Sequence, residues 1–322
     1  MNSGENSHNA DSGSKTAYAF PGQGSQSVGM GKDLYDNFPA ARRVFEEVDD
    51  ALGFALSDLC FAGDESELQL TANTQPAILT VSVAAFRAME SEGFPPPDYT
   101  AGHSLGEYSA LVAAGVLNLA DAVRVVRKRG NYMQEAVPLG VGAMAAILGS
   151  DVETIETACG EAADGQVCSP ANINSPSQVV IAGDTDAVDR ACELLRQRGA
   201  KRAIRLNVSA PFHCRLMLPA QERLAADLNL LVYNGFRFPI VHNVDAAFNY
   251  NPGTVCAALT RQVSMPVMWL QSVRNLINAG VGTFVEVGVG KVLSGLARQI
   301  DREVRCLNVE NLESLRNTLE TL

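Results

Sequence analysis

A Gly-x-Ser-x-Gly pentapeptide at residues 102–106 places a serine where an enzyme could use it as a nucleophile. It follows a short extended segment and precedes a helical pattern that begins at Glu107. A serine on so tight a strand-to-helix turn has strained backbone angles, so its neighbours need to be small. The N-terminus of the next helix also favours developing negative charge. The pattern predicts a nucleophile at Ser104, and a glycine-flanked turn with an incidental serine is the alternative.

A serine nucleophile needs a base, and the chain has four histidines. His8 lies in a polar N-terminal segment, His103 should point away from Ser104 across the turn, and His242 lies in an apolar strand as a satisfied core residue. His213 remains, in a proline-bent loop at the junction of two predicted units, where loops meet over a cleft. It is the predicted base, and a capping or core histidine is the alternative.

The elements that must position these groups alternate between strands and helices. Residues 17–20 form an apolar run that ends in a Pro-Gly-Gln-Gly-Ser turn, and Pro76 lies where the first turn of a helix tolerates proline. Helical spacing is found in residues 33–52, 74–92 and 107–131. Such alternation predicts an α/β unit with a largely parallel sheet.

A different order of elements occupies residues 139–207. Its patterns predict strand, helix, strand, strand, helix and strand at residues 143–148, 152–163, 167–173, 177–182, 185–198 and 201–207. This βαββαβ order is typical of a ferredoxin-like unit, with its central hairpin turn at residues 174–177. Further strands near 239–245 and 283–287, and a final pair of helices, return to the first pattern.

We therefore predict three parts of the chain. Residues 1–14 form a disordered tail, residues 15–138 and 208–322 a discontinuous catalytic subdomain, and residues 139–207 a small inserted subdomain. A length of 322 residues fits about two folded units.

Composition excludes several classes of function. The 25 Lys and Arg against 36 Asp and Glu give a net charge of −11, which disfavours a nucleic-acid partner. No apolar stretch reaches the roughly 18 residues of a membrane span, and the N-terminus lacks the pattern of a signal peptide. Seven scattered cysteines without a C-x-x-C pair indicate reduced thiols in the cytoplasm and no metal site.

Several motifs together carry a resemblance to a known family. They are Phe20 to Gln26, Thr74-Gln75-Pro76-Ala77, Gly102 to Tyr108, Arg129-Gly130, Met133-Gln134, Asn172 to Pro176, His213, Arg261-Gln262 and Glu286-Val287-Gly288. The chain resembles the malonyl-CoA:acyl carrier protein transacylases, of the acyltransferase family of fatty-acid and polyketide synthesis. The resemblance implies an α/β-hydrolase-like large subdomain with a ferredoxin-like insertion. It also implies an S-malonyltransferase that supplies fatty-acid chain elongation by a ping-pong reaction.

The resemblance also implies roles for single residues. Ser104 accepts the malonyl group, and His213 is its base, oriented by a backbone carbonyl in the Gln262 region. The backbone N–H groups of Gln23 and Leu105 form the oxyanion hole.

The selection of a malonyl group is implied by further matches. Arg129 binds the free carboxylate, although on the sequence alone it could belong to the charged face of a helix. Met133 and Phe212 complete the substrate pocket, and Phe212 with Leu105 favours malonyl over methylmalonyl. One departure is Gly288-Val289-Gly290, where many relatives have Gly-Pro-Gly; we expect activity to survive it.

The implied partners are malonyl-CoA and an acyl carrier protein whose phosphopantetheine thiol is the acceptor, with no tightly bound cofactor. Carrier proteins are acidic, so we predict that Lys201 and Arg202, within a basic cluster of the insertion, attract the carrier; an ordinary solvated helix face is the alternative. Three rival functions stay open: a free-standing polyketide acyltransferase, a serine acyl-hydrolase or thioesterase, and a non-enzymatic carrier-docking domain.

Overall fold

The computed structural model describes residues 14–208 and 210–322. Apart from Ser14, the predicted disordered tail lies outside these residues. The described chain forms two sheets, one of six strands and one of four. The strands are β1 Lys15–Phe20, β2 Tyr99–Gly102, β3 Gly142–Leu148, β4 Cys168–Ser175, β5 Gln178–Asp184, β6 Arg202–Arg205, β7 Ile240–Val241, β8 Phe248–Asn249, β9 Val281–Val287 and β10 Arg305–Val309.

The larger sheet has the order β10-β9-β1-β2-β7-β8. All its neighbouring strands pair in parallel except the short edge hairpin of β7 and β8. In a parallel sheet, the carboxyl ends of the strands lie along one edge, where ligand sites form. The loops after β1, β2, β7 and β9 therefore open on the same edge. The predicted α/β class with a largely parallel sheet is confirmed, and β8 and β10 were missed.

Helices cover both faces of this sheet and one face of the smaller sheet. They are α1 Lys32–Asn37, α2 Pro39–Leu52, α3 Leu56–Ala62, α4 Glu65–Gln69, α5 Thr71–Ser91, α6 Gly106–Ala113, α7 Leu119–Glu135, α8 Val152–Ala163, α9 Thr185–Gln197, α10 Leu218–Leu228, α11 Val255–Gln262, α12 Trp269–Asn278, α13 Val292–Ile300 and α14 Leu312–Thr321. In the part of the chain that the structure describes, none of them has the length and apolarity to cross a membrane.

Two predicted helices are each divided in the structure. The stretch 33–52 breaks at Phe38, whose extended backbone (φ −124°) is the conformation favoured before a proline, here Pro39. The stretch 107–131 breaks around Gly115, which has a φ of 77° that ends α6 before α7 begins.

The third predicted helix begins one turn earlier than expected. It starts at Thr71 rather than at residue 74, so Pro76 lies in its second turn and not in its first. The Thr80 hydroxyl donates to the Pro76 carbonyl at 2.7 Å, four residues back along the helix. The proline costs the helix one backbone donor, which the long buried helix tolerates.

The inserted unit has the predicted βαββαβ order. Its sheet is antiparallel with the order β4-β5-β3-β6, and α8 and α9 pack on one face. Because side chains alternate along a strand, those of β3 lie on both faces of the sheet. Ala145 and Ile147 pack under the two helices, whereas Met144 and Ala146 join the core of the large subdomain. The insertion therefore shares a core with the catalytic unit, and the predicted α/β-hydrolase-like fold with a ferredoxin-like insertion is confirmed.

A second link ties β4 to the large subdomain. The Ile173 N–H donates to the Val267 carbonyl and the Val267 N–H donates to the Ala171 carbonyl, both at 2.9 Å. Val267 lies between α11 and α12, close in sequence to Gln262. The inserted sheet is thus fixed beside the loops at the carboxyl edge.

Candidate active site

Ser104 lies on a sharp turn between β2 and α6. Its φ is 51°, in the left-handed region that L residues rarely adopt. A Cβ atom at Gly102 would lie 1.9 Å from the Gly106 carbonyl oxygen, and one at Gly106 would lie 2.0 Å from the Phe20 carbonyl oxygen. Only glycine fits at either position, so the predicted elbow geometry is present.

Asn243 holds this strained turn in place. The Ser104 N–H donates to Asn243 Oδ1 at 2.7 Å, and Asn243 Nδ2 donates to the Gly102 carbonyl at 2.7 Å. Asn243 follows β7, and the parallel pairing of β7 with β2 brings it to the turn. Sequence reasoning missed this residue, because 139 positions separate it from Ser104.

His213 contacts both the serine and a carbonyl. Its Nε2 lies 2.7 Å from Ser104 Oγ, and its Nδ1 lies 2.8 Å from the Gln262 carbonyl oxygen. A carbonyl only accepts, so Nδ1 carries a proton and Nε2 is left to accept the serine hydroxyl. Burial, and next the positive charge of Arg129, lower the pKa of His213 to about 3. The imidazole is therefore neutral at neutral pH, and its Nε2 faces the serine hydroxyl without a proton of its own.

Arg129 is buried beside the serine, with 2% of its surface exposed. Its Nη1 donates to Gln75 Oε1 at 2.7 Å, and its Nη2 donates to Gln262 Oε1 at 2.9 Å and to Ser104 Oγ at 3.1 Å. Its Nε has no hydrogen-bond partner in the described part of the chain. The alternative that Arg129 belongs to a solvated helix face is therefore wrong. A buried guanidinium held only by neutral groups is suited to bind an anionic substrate group.

These groups open into a cavity of about 580 Å³ between the two subdomains. Its wall includes the predicted residues Gln23, Leu105, Met133 and Phe212. The backbone N–H groups of Gln23 and Leu105 donate to no acceptor within residues 14–208 and 210–322, while the Gln23 side chain donates to Thr71. Two unused N–H donors near Ser104 are what an oxyanion needs.

The other two described histidines make different contacts. His103 Nε2 lies 2.9 Å from Asn174 Oδ1, and its ring packs edge-on against Trp269. His242 Nδ1 lies 2.5 Å from Glu107 Oε1, and its Nε2 lies 2.7 Å from Asn249 Nδ2. Neither contacts Ser104 Oγ, as predicted.

Sequence reasoning also missed the roles of three further side chains. Gln75 accepts from Arg129 and donates to the Met133 sulfur at 3.7 Å. Glu107 is fully buried behind Gln262, whose side chain, and not only its carbonyl, belongs to the site. Gln75 and Glu107 lie within two of the motifs that carry the family resemblance, and that position was the sequence signal for their roles. No group of three or more His, Cys, Asp or Glu residues that could hold a metal occurs in the described ranges.

The predicted carrier-docking residues lie away from the cavity. Lys201 and Arg202 are exposed at the start of the edge strand β6, whereas Leu206 and Val208, beyond its other end, line the cavity. Four further cations of the basic cluster make contacts within the insertion: Arg190 with the Ala162 carbonyl, Arg196 with Glu193, Arg198 with Glu161 and Arg205 with Asp189. Only Lys201 and Arg202 of this cluster have no such partner among the described residues.

The glycine turn at residues 288–290 is far from the site in sequence and close to it in space. A Cβ atom on Gly288 would lie 3.1 Å from the Pro21 ring, and one on Gly290 would lie 3.8 Å from Ser25 Cβ. The turn therefore packs behind the loop that carries Gln23.

Fold and site together define an enzyme that transfers acyl groups through a serine. Residues 17–312 match the family model of the acyl transferase domain, and the chain belongs to this family.

Relatives cover nearly the whole chain. It is 47% identical over 310 residues to the malonyl CoA-acyl carrier protein transacylase of Bacillus subtilis, covering 96% of this chain and 98% of the relative. The transacylase of the same name from Coxiella burnetii has a solved structure with a TM-score of 0.94 and 43% identity, covering 96% of this chain and 98% of that chain. A malonyl-transacylase solved in complex with its type II PKS acyl-carrier protein matches with a TM-score of 0.94 and 46% identity, covering 96% of this chain and 100% of that chain.

Proposed function

We propose that this protein transfers a malonyl group from malonyl-CoA to the phosphopantetheine thiol of an acyl carrier protein, by way of malonyl-Ser104. The observation that carries the proposal is the buried guanidinium of Arg129, 3.1 Å from the hydroxyl of Ser104. A thioester substrate with a free carboxylate satisfies both groups at once. The names of the relatives agree with this reaction.

In the first half-reaction, Ser104 Oγ attacks the thioester carbonyl of malonyl-CoA. His213 Nε2 takes the hydroxyl proton, and the Gln262 carbonyl stabilises the imidazolium that forms. The carbonyl oxygen becomes an oxyanion, for which the N–H groups of Gln23 and Leu105 are the donors. The C–S bond breaks, His213 returns the proton to the CoA sulfur, and malonyl-Ser104 is left.

The second half-reaction reverses these roles. The carrier thiol gives its proton to His213 and attacks the ester carbonyl of malonyl-Ser104. The oxyanion forms in the same place, the C–O bond to Ser104 breaks, and His213 returns the proton to Ser104 Oγ. CoA and the carrier present the same phosphopantetheine arm, so one cavity serves both.

Arg129 selects the substrate. With malonyl bound, the carboxylate pairs with the guanidinium. With acetyl bound, the guanidinium stays buried without an anionic partner, and this is energetically unfavourable. Met133 and Phe212 bound the rest of the acyl site, and Phe212 favours malonyl over the branched methylmalonyl group.

The setting is proposed as fatty-acid chain elongation in the cytoplasm, with no tightly bound cofactor. Lys201 and Arg202 are proposed to attract the acidic carrier. A free-standing polyketide acyltransferase is the second candidate, because one of the structural matches was solved with a type II PKS carrier. The carrier preference of the protein separates the two.

Two rivals lose support from the geometry. A carboxylate on His213 would favour a hydrolase, but a backbone carbonyl occupies that position. A docking domain without chemistry has no need of a serine, a neutral histidine and a buried arginine in hydrogen-bond contact.

The test is to mix the protein with equimolar malonyl-, methylmalonyl- and acetyl-CoA and to record intact-protein masses. We expect a dominant malonyl adduct on the wild type that is absent from Ser104→Ala and is discharged by a carrier bearing phosphopantetheine. Free malonate without a lasting adduct would indicate a hydrolase. Neither adduct nor turnover would indicate a docking domain.

A further inference from the structure

A buried carboxylate lies behind the catalytic groups without forming part of the cavity wall. Glu107 is in the first turn of α6, three residues after Ser104, and none of its surface is exposed. An ionised side chain is expensive to bury, so its neighbours must compensate for the lost water. Those neighbours form a chain of hydrogen bonds, and the partners at its start determine which atom donates at each step.

The chain begins at the loop after β8. Asn249 Oδ1 accepts from the Asn251 N–H at 2.7 Å and from the Thr254 hydroxyl at 3.2 Å, so its Nδ2 must be the end that faces His242. Asn249 Nδ2 therefore donates to His242 Nε2 at 2.7 Å. His242 is then the neutral tautomer with its proton on Nδ1, which donates to Glu107 Oε1 at 2.5 Å.

The other carboxylate oxygen faces donors as well. Glu107 Oε2 accepts from the Asn243 N–H at 3.1 Å and from Gln262 Nε2 at 2.8 Å. Because no acceptor faces either oxygen, the carboxyl group has no place for a proton and is held as an anion. With its Nε2 turned to Glu107, the amide of Gln262 presents Oε1 to Arg129 Nη2 at 2.9 Å.

We propose that Glu107 is a positioning residue for malonyl selection, acting through the amide of Gln262 to hold the Arg129 guanidinium toward the substrate carboxylate. The inference rests on the proposed function. A hydrogen bond from the amide to an anion makes its oxygen a stronger acceptor for the guanidinium. Burial lowers the pKa of Arg129, and the charge of Glu107 is among the effects that oppose this shift.

Glu107 also bonds to the backbone of Asn243, the residue that holds the Ser104 turn. Loss of the carboxylate can therefore slow acylation by every substrate. Only the link through Gln262 to Arg129 distinguishes malonyl from acetyl. The ratio of the two acylation rates is thus the measurement that separates positioning of Arg129 from general support of the fold.

The decisive variant is Glu107→Gln, which keeps the shape and removes the charge. In either orientation its NH₂ group meets a donor, His242 Nδ1 on one side or the Asn243 N–H and Gln262 Nε2 on the other. We expect kcat/KM for malonyl-CoA acylation of Ser104 to fall about 10-fold to 100-fold, as a misplaced binding group does. Acetyl-CoA acylation falls less, so the malonyl-to-acetyl ratio drops by more than about twofold.

Glu286→Gln is the matched control. Glu286 is also a buried carboxylate, 1% exposed, and it accepts from the N–H groups of Leu293 and Ser294 at the start of α13. The control should lower the melting temperature, but its malonyl-to-acetyl ratio of acylation rates should equal that of the wild type.

The outcomes separate the two levels of the argument. If the wild type takes no malonyl group on Ser104, the proposed function and this inference both fail. If the wild type is malonylated and Glu107→Gln keeps its ratio within about twofold, the inference alone is overturned.

Should Glu107→Gln not fold, ¹⁵N NMR of the wild-type imidazoles tests the hydrogen bond from His242 to Glu107, on which the inference rests. We expect His242 as the neutral Nδ1–H tautomer at pH 7. A ring protonated only on Nε2 would overturn the inference, because Nδ1 would then accept and Glu107 would have to carry the proton between the two side chains.

Discussion

Two arginines show how differently the catalytic subdomain and the insertion use the same side chain. Arg129, on α7, is 2% exposed and is held by two glutamine side chains and Ser104 Oγ. Arg202, at the start of β6, is exposed and has no partner among the described residues. Arg129 lies between packed layers, whereas the edge strand β6 leaves Arg202 in water.

The difference decides what each charge can contribute. In a buried site the guanidinium has lost its water. A substrate without a carboxylate leaves this charge without an anionic partner, which costs free energy and therefore disfavours that substrate strongly. At the surface, water and salt screen the charge, so it steers a partner and contributes little binding energy. We therefore expect Arg129 to contribute strongly and specifically to substrate binding, and Lys201 and Arg202 to contribute weakly and unspecifically to carrier binding.

The largest expected effect tests the buried side of the comparison. Arg129→Ala should lower kcat/KM for malonyl-CoA acylation by roughly 10³-fold and acetyl-CoA acylation far less, because only malonyl loses a charge partner. Single-turnover acylation followed by intact mass measures both. Arg202→Ala is the matched control and should leave both rates unchanged; an equal loss with both substrates in Arg129→Ala would contradict the assigned role.

An intermediate effect concerns pH. Since the pKa of His213 is lowered to about 3, its neutral form persists to pH 5, and malonyl acylation should fall less than about twofold from pH 7 to 5. With the ordinary histidine pKa of 6.5, the acylation rate would fall about 25-fold over that range. A stopped-flow pH profile measures this, and a midpoint near 6.5 would show that burial does not act on His213 as described.

The same shift affects stability. The unfolded chain binds a proton on His213 near pH 6.5 and the folded chain only near pH 3. The unfolded state therefore binds more protons between these values, and the free energy of unfolding falls as the pH is lowered through this window. Circular dichroism at each pH provides the control that the rates belong to folded protein.

The smallest effect tests the exposed side. Lys201→Glu with Arg202→Glu should reduce transfer to the carrier by several-fold at low salt and less at high salt, because the attraction is screened. Self-acylation by malonyl-CoA should be unchanged. The same charge reversal at the exposed Arg43 and Arg302 is the control, and equal effects of the two pairs would remove the docking role from the insertion.

The helix boundaries show where local patterns were sufficient. The limits of α8, Val152–Ala163, follow from apolar spacing and end where a left-handed Asp164 stops the helix. The single helix predicted over 107–131 failed, because the pattern of apolar residues continues across a break that Gly115 introduces. Periodicity reports which face is buried and is insensitive to a turn between two buried helices.

By itself, the sequence determined the kinds of element and indicated Ser104 as the candidate nucleophile. Both are local properties, since glycines on either side of Ser104 and the alternation of strands and helices act over a few residues. It also indicated His213 as the candidate base, by elimination among four histidines. Only the tertiary structure decided that Asn243 holds the turn, that Gln262 links His213 to Arg129, and that Glu107 lies behind them. Apart from the contact of His213 with Gln262, these contacts join positions more than 130 residues apart. The choice of β7 as the parallel neighbour of β2, which brings their carboxyl ends to one edge, has no local sequence pattern.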